Sequence, residues 1–321
     1  MKKYFQTFVK KYQVIPKSSI YDEYAKHLIS EFNKHEATLY FIVKTKKVSF
    51  VPGSFRPVDN YGFVGDLRVG EKIHQIRFNC AKIHFDDPKV KEQFPTLNEF
   101  CDHCMSDWKI EKEPNLSNEK KYTAIAHVNT AKSSEERLVI NCPLGVSLAK
   151  GKGGQIIVTP YQLIMFFDID CLEELEIIYI GKSNDNLWRR IYNHNKWGVI
   201  EEHRDQATED LIVYFMQIEP SAVDIGFMNR AVFIQRQEAN ISIEDATLAT
   251  EAVLISHFIS EKRFNSNHVG LEIKDIQLIQ TKLKSIGFSD ICVEVDLDGL
   301  FGVLGTKKAG YKRSHRIEAE T

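Results

Sequence analysis

Apolar residues in this chain come in short runs whose spacing keeps switching between the strand period and the helix period, and no run approaches the roughly 20 residues that span a bilayer. A chain patterned this way must build its core from strands and helices together, so the expected fold class is α+β. Its 321 residues exceed what one core fills comfortably, about 250–300 residues, and two domains are expected. Apolar residues at 43% and charged residues at 27% exclude a chain too polar to fold.

The spacing predicts two opening helices, the clearer over 19–35. Strands follow over 37–45, 47–52, 73–85, 122–129 and 137–142, with a short helix over 97–108. These make an N-terminal α+β domain, residues 1–150, closed by the loop 150–154. A strand over 161–169, a turn at 170–172 and a strand over 176–180 then predict a hairpin. A helix over 185–196, a strand over 211–218 and a helix over 242–260 complete a second domain, 155–270. A helix over 273–286, a strand over 291–295 and a basic tail form an extension, 271–321.

A formal net charge of −2 neither requires nor forbids an anionic partner, because local patches decide. Cationic side chains gather at Lys182, Arg189, Arg190 and Lys196, and again in the tail at Lys307, Lys308, Lys312, Arg313 and Arg316. Lys2 and Lys3 are not followed by the apolar stretch of a secretion signal, so a cytoplasmic protein with reduced thiols is expected. Cys80, His84, Cys101 and Cys104 have spacings that resemble a zinc set. The first pair, however, falls in 78–85, which reads as strand, and buried thiols are the expectation.

Two helices place polar groups where apolar ones belong. With Leu248 at 0°, Ala252, Ile255 and Phe258 fall at about 40°, 340° and 280°, and Glu251 lies at about 300°, inside the apolar arc. A carboxylate there loses hydration unless a cation or hydrogen bonds replace it; a buried ion pair is the alternative to a metal. On the earlier helix, with Leu187 at 0°, Arg190 and His194 fall at about 300° and 340° on one edge of the buried face, while Arg189 at about 200° points to solvent.

The run Tyr179-Ile180-Gly181-Lys182-Ser183 at a strand end, then Arg190 and His194 four apart, then Glu251-Ala252-Val253-Leu254-Ile255 on a later helix and Phe264-Asn265 beyond it, resembles the GIY-YIG nuclease family. The likeness covers residues 159–267. The family's Gly-Ile-Tyr is missing, and 184–186 carries an extra residue before Arg190. Tyr161 is the nearest tyrosine, and a hairpin turning midway between it and Tyr179 would oppose the two rings. Another alignment puts Ile164 at that place and leaves Tyr179 as the sole motif tyrosine.

The resemblance implies a small sheet flanked by helices that hydrolyses phosphodiester bonds in DNA. Glu251 would hold a single Mg²⁺ or Mn²⁺ ion, and Arg190 would neutralise charge in the transition state. Tyr161 or Tyr179 would act as base or orient water, and His194 would share the proton work or bind phosphate. Asn265, or less directly Asn267, would orient neighbouring groups. Lys182, Arg190, Lys196, Lys312 and Arg313 would bind the substrate, expected to be double-stranded DNA, and a homodimer is compatible with that. The N-terminal domain would supply specificity or sensing in a bacterial restriction or phage-defence nuclease. The alternative is a nucleic-acid-binding or sensor protein on the same scaffold that has lost activity, and the missing Gly-Ile-Tyr is its support.

Overall fold

The computed structural model describes residues 2–32, 38–58, 62–79, 81–107, 127–141, 155–171, 174–183, 186–228, 231–259, 268–297 and 302–321. The chain forms two compact units, one from Met1–Lys46 with Leu172–Thr321 and the other from Lys47–Cys171. The second unit is inserted into the first, so the division does not fall at the expected loop 150–154, which lies outside the described residues. The fold class is α+β, as expected.

The first unit opens with β1 (Lys2–Pro16), α1 (Glu23–Phe32) and β2 (Thr38–Lys46). Residues 2–16 are a strand and not the first of two helices. Their aromatic and β-branched residues, from Tyr4 to Ile15, favour a pleated, half-buried surface.

The inserted unit contains β3 (Val48–Phe50), β4 (Arg56–Val58), β5 (Gly62–Val69) and β6 (Lys72–Phe78) in one antiparallel sheet. Short helices α2 (Lys82–Phe85), α3 (Pro88–Gln93) and α4 (Leu97–Asp107) follow. A second small sheet has β7 (His127–Val128), β8 (Leu138–Asn141) and β9 (Gln155–Val158), and α5 (Pro160–Phe167) closes the unit. Residues 161–167 are thus helical where a strand was expected. Thr159 and Gln162 cap each other reciprocally and Pro160 takes the first turn, a helix start that outweighs the strand-like composition behind it.

The chain returns through β10 (Glu174–Ser183), α6 (Leu187–Tyr192), α7 (Trp197–Glu202), β11 (Glu209–Met228) and β12 (Ala231–Glu238). It ends with α8 (Ile243–Phe258), α9 (His268–Ser285), β13 (Asp290–Asp296), β14 (Val303–Thr306), β15 (Gly310–Lys312) and β16 (Ser314–Glu320). Nine strands form one sheet in the order β15-β14-β10-β2-β11-β1-β13-β16, with β12 on the outer half of β11. The expected basic tail is therefore sheet. Lys308 bonds the carbonyl of Ser256 at the end of α8, and Arg316 pairs with Glu294 and Glu318.

Helices cover both faces of this sheet. On one, Ala25 and Ile29 of α1, Leu187 and Ile191 of α6, and Trp197 and Ile200 pack with Tyr40, Ile42 and Tyr179. On the other, the ring of Phe258 in α8 meets Phe41 with centroids 6.1 Å apart, and Thr250 shares a 3.0 Å hydrogen bond with Thr7. Among the described residues no helix is long and apolar enough to cross a membrane.

Candidate active site

Strands β2 and β10 are antiparallel neighbours in which Tyr40 stands opposite Gly181 and Ile42 opposite Tyr179. Side chains two apart on a strand share a face, which would send Tyr179 to the side of Ile177. A register shift between Ile177 and Tyr179 adds one residue to β10, and a bulge of this kind re-aims the side chains beyond it. Tyr179 and Gly181 then share the face of Tyr40.

Gly181 is glycine because the rings need its space. A Cβ there would come within 2.5 Å of the Tyr40 hydroxyl and 2.8 Å of Tyr179 Cε1. The two phenols stack with centroids 5.9 Å apart and planes at 24°. His194 stands edge-on to both, 5.8 Å from Tyr40 and 4.7 Å from Tyr179.

His194 does not lie on the helix that carries Arg190. Helix α6 stops at Tyr192, and the His194 amide donates to the Ile191 carbonyl at 3.3 Å. Trp197 backs the imidazole at 5.5 Å and is fixed by a 2.8 Å bond from its Nε1 to that same carbonyl. The Lys196 amide donates to His194 Nδ1 at 3.3 Å, so in the neutral ring the proton sits on Nε2. That atom is buried with no partner among the described residues. Burial first, then the charges of Arg190 and Lys196, lowers the pKa of His194 to about 4.

Burial raises both tyrosine pKa values, Tyr40 well above 10.0, while Arg190 pulls each one down. Arg190 itself is exposed by area, yet its guanidinium lies beside both phenols, with Tyr40 the largest influence on its charge. No hydrogen bond of good geometry joins it to the Tyr40 hydroxyl, which is buried without a partner among the described residues. The cation thus has an open side facing solvent and a closed side facing the rings.

Glu251 comes from α8 and is 1% exposed. This helix is buried almost all round, at Thr247, Thr250, Leu254 and Phe258 as well, so Glu251 lies at the centre of its packed surface. Its Oε1 has no hydrogen-bond partner among the described residues. Burial raises its pKa from 4.5 to about 7, against the opposing charges of Lys182 and Arg190. A buried carboxylate with an uncommitted oxygen is the donor that a hard cation would complete. Among the described residues no three His, Cys, Asp or Glu side chains converge as a metal cage. A cation here would take one carboxylate and keep its waters, which suits Mg²⁺.

The cluster thus unites Tyr40, Tyr179, Lys182, Arg190, His194 and Glu251. Tyr161 is not in it as the opposed tyrosine, because Tyr161 and Ile164 lie on α5 of the inserted unit and the strand beside Tyr179 carries Tyr40. Sequence reasoning missed Tyr40. Its signal was Thr38-Leu39-Tyr40, a small residue, an aliphatic one and a tyrosine on an early strand. Asn265 and Asn267 lie outside the described residues. Lys196 is half-buried beside His194. Lys312 and Arg313 stand apart: Lys312 aligns through Leu304 with Leu175, about 20 Å along β10 from Gly181 at about 3.3 Å per residue.

The zinc spacing also changes. Residues 82–85 are helix α2 and not strand, Cys101 is buried and His103 exposed. Cys80 and the side chains of His84 and Cys104 lie outside the described residues.

No family model matches the chain, and no curated protein or solved structure matches it either.

Proposed function

We propose that this protein is a divalent-metal-dependent nuclease of the GIY-YIG type. The observation that carries the reading is the group of Tyr40, Tyr179, Arg190 and His194 together with the buried Glu251, whose charge is felt at Tyr179 and balanced by Arg190. Tyr40 takes the place that the resemblance gave to Tyr161, and the small sheet it implies corresponds to β2, β10 and β11 with α6 and α8. The missing Gly-Ile-Tyr is the support for an inactive binding protein; Tyr40, in Thr38-Leu39-Tyr40, supplies a tyrosine opposite Tyr179 without restoring that tripeptide.

Glu251 would hold a divalent ion, and the chemistry that ion would supply is Lewis acidity at the phosphate and its leaving oxygen. Arg190 offers its open side to a phosphate and balances charge that grows in the transition state. His194, neutral with its proton on Nε2, donates a hydrogen bond to a phosphate oxygen or to the attacking water and is not the base. The tyrosines are held protonated by burial, so either one accepts a proton only as nearby positive charge lowers its pKa. Burial raises the pKa of Tyr40 well above its ordinary value and that of Tyr179 less far, so Tyr179 is the better candidate for that task. Lys182 favours the charged form of the Glu251 carboxylate, against the burial that favours the neutral one. DNA as substrate, and a place in bacterial restriction or phage defence, come from the resemblance.

The test is incubation with plasmid and with single-stranded DNA, in Mg²⁺ or Mn²⁺ and in chelator. Metal-dependent cleavage supports the reading; no cleavage of either substrate in either metal overturns it.

A further inference from the structure

Beside the candidate site lies an aromatic group that the proposed chemistry does not use. Tyr21, in the turn before α1, and Tyr192, the last residue of α6, are each 47% exposed. Their rings meet edge to face with centroids 5.3 Å apart and planes at 76°. Trp188 tilts against Tyr192 at 5.2 Å and is partly buried against the core. Lys17 stands over Tyr21 at 5.4 Å while pairing with Glu201 at 2.8 Å. Edge-to-face contacts leave ring faces uncovered, and an exposed aromatic pair has little to gain from solvent.

The same six-residue helix carries the cations. With Leu187 at 0°, Trp188 and Tyr192 fall at about 100° and 140°, Arg189 at about 200° and Arg190 at about 300°. The rings and Arg190 therefore occupy opposite flanks, with exposed Arg189 between them. A helix is about 10–12 Å across, a distance that one strand spans within a few nucleotides. Asp22 and Glu23 are also exposed next to Tyr21, so the positive side of this surface is the α6 side, around Tyr192.

We propose that Tyr192, supported by Trp188 and Tyr21, is a stacking platform for an unpaired nucleobase of the strand whose phosphate meets Arg190. This rests on the nuclease reading of the neighbouring site. It replaces the expected duplex by a strand that presents an unpaired base a few nucleotides from the phosphate, because bases inside a duplex have no free face to offer. A protein partner would use the rings as well, but would have no use for the arginines arrayed across α6 toward the phosphate position.

The experiment measures fluorescence anisotropy of a labelled single-stranded 12-mer and of its duplex, using full-length protein with Glu251→Gln to prevent cleavage. In that background Tyr192→Ala is expected to weaken single-strand binding about 5- to 100-fold, the range of one lost base–aromatic stack. Duplex affinity is expected to change less than about 2-fold, and Tyr192→Phe, which keeps the ring face, to bind the single strand within about 2-fold of its parent. Thermal melts check that each variant is folded. Equal losses for single strand and duplex, unchanged single-strand binding in Tyr192→Ala, or no single-strand binding by the parent each overturn the platform. Failure of the nuclease reading is separate: single-strand binding lost on Tyr192→Ala, with no cleavage by the wild-type chain in any metal, leaves the platform standing and removes the nuclease.

Discussion

Tyr40 and Gly181 face each other across two paired strands, and the tyrosine ring fills the space a side chain at Gly181 would need, 2.5 Å from its hydroxyl. Gly181→Ala must therefore displace one or both phenols. Cleavage is expected to fall at least about 100-fold, the scale for a catalytic constellation misplaced by about 1 Å, and stability by about 1–3 kcal/mol, as for an overpacked core. Cleavage assays and denaturant melts of the one variant read both; normal activity would mean that the tyrosines take no part.

Glu251→Gln keeps size and hydrogen-bonding capacity but removes the charge a hard cation requires. It is expected not to cleave, and to be as stable as the parent in chelator or more so, since it no longer buries an ionised carboxylate. Mn²⁺ is expected to raise the melting temperature of the parent and not of the variant, because a ligand stabilises only the state that binds it. Near-parental cleavage by Glu251→Gln would make this carboxylate structural.

The raised pKa of Glu251 gives a pH dependence with a definite sign. Between pH 4.5 and about 7 the folded state keeps a proton that the unfolded state has lost, so this group's contribution to stability falls as pH rises, by about 3 kcal/mol across the window. His194 works against it: its lowered pKa makes stability rise with pH between about 4 and 6.5, where the unfolded state alone is protonated. The parent on its own can thus look flat below pH 6.5. The contrast appears in chelator as the parent's melting temperature minus that of Glu251→Gln, which is expected to decline from pH 4.5 to 7. Metal binding must also expel the Glu251 proton, so apparent Mn²⁺ affinity is expected to climb about tenfold per pH unit below about 7 and then level. A difference that stays constant with pH would show that the carboxyl is not buried in its neutral form.

Arg189 and Arg190 are both exposed on α6, yet only Arg190 reaches the two phenols. Arg190→Ala is expected to lose cleavage by about 1,000-fold or more while remaining folded, the scale of a lost transition-state cation. Arg189→Ala is expected to keep cleavage within about 10-fold, the scale of one peripheral contact. Equal losses would place the phosphate on the other side of the helix.

His194→Ala is expected to slow cleavage about 10- to 100-fold, the value of a hydrogen bond to a charged group, without removing any limb of the pH–rate profile between pH 5 and 8. His194→Gln, which restores an N–H donor, is expected to recover part of the loss. An acidic limb near pH 6.5 that vanishes in His194→Ala would show the imidazole to be a base.

Much of the second half of the chain was legible because its signals are local. The helix periods around Leu187 and Leu248, the strand that carries Tyr179 and the awkward carboxylate at Glu251 all depend on residues a few positions apart. Three features were not legible that way. The capping box of Thr159 and Gln162 overrode an apolar run that looks like a strand. Helix α6 ends at Tyr192 because the Ile191 carbonyl is drawn to Trp197 Nε1 and the His194 amide, a tertiary choice that helical spacing cannot anticipate. Tyr40 was hidden by distance, since the partner of Tyr179 lies beyond a whole folded unit. Local pattern finds strands; it does not say which strands pair.

The inserted unit leaves from the end of β2 and returns at the start of β10, two strands that are hydrogen-bonded neighbours. Seen by a chain leaving the ribosome, the two halves of the site are made far apart in time. Everything from Lys47 to Cys171 is synthesised before β10 appears, so the pairing of β2 with β10 is a contact of high sequence separation. Until it closes, Tyr40 has no Gly181 to lie on and Tyr179 no ring to stack against. The arrangement of Tyr40, Gly181 and Tyr179 therefore cannot form before the whole inserted unit has been made.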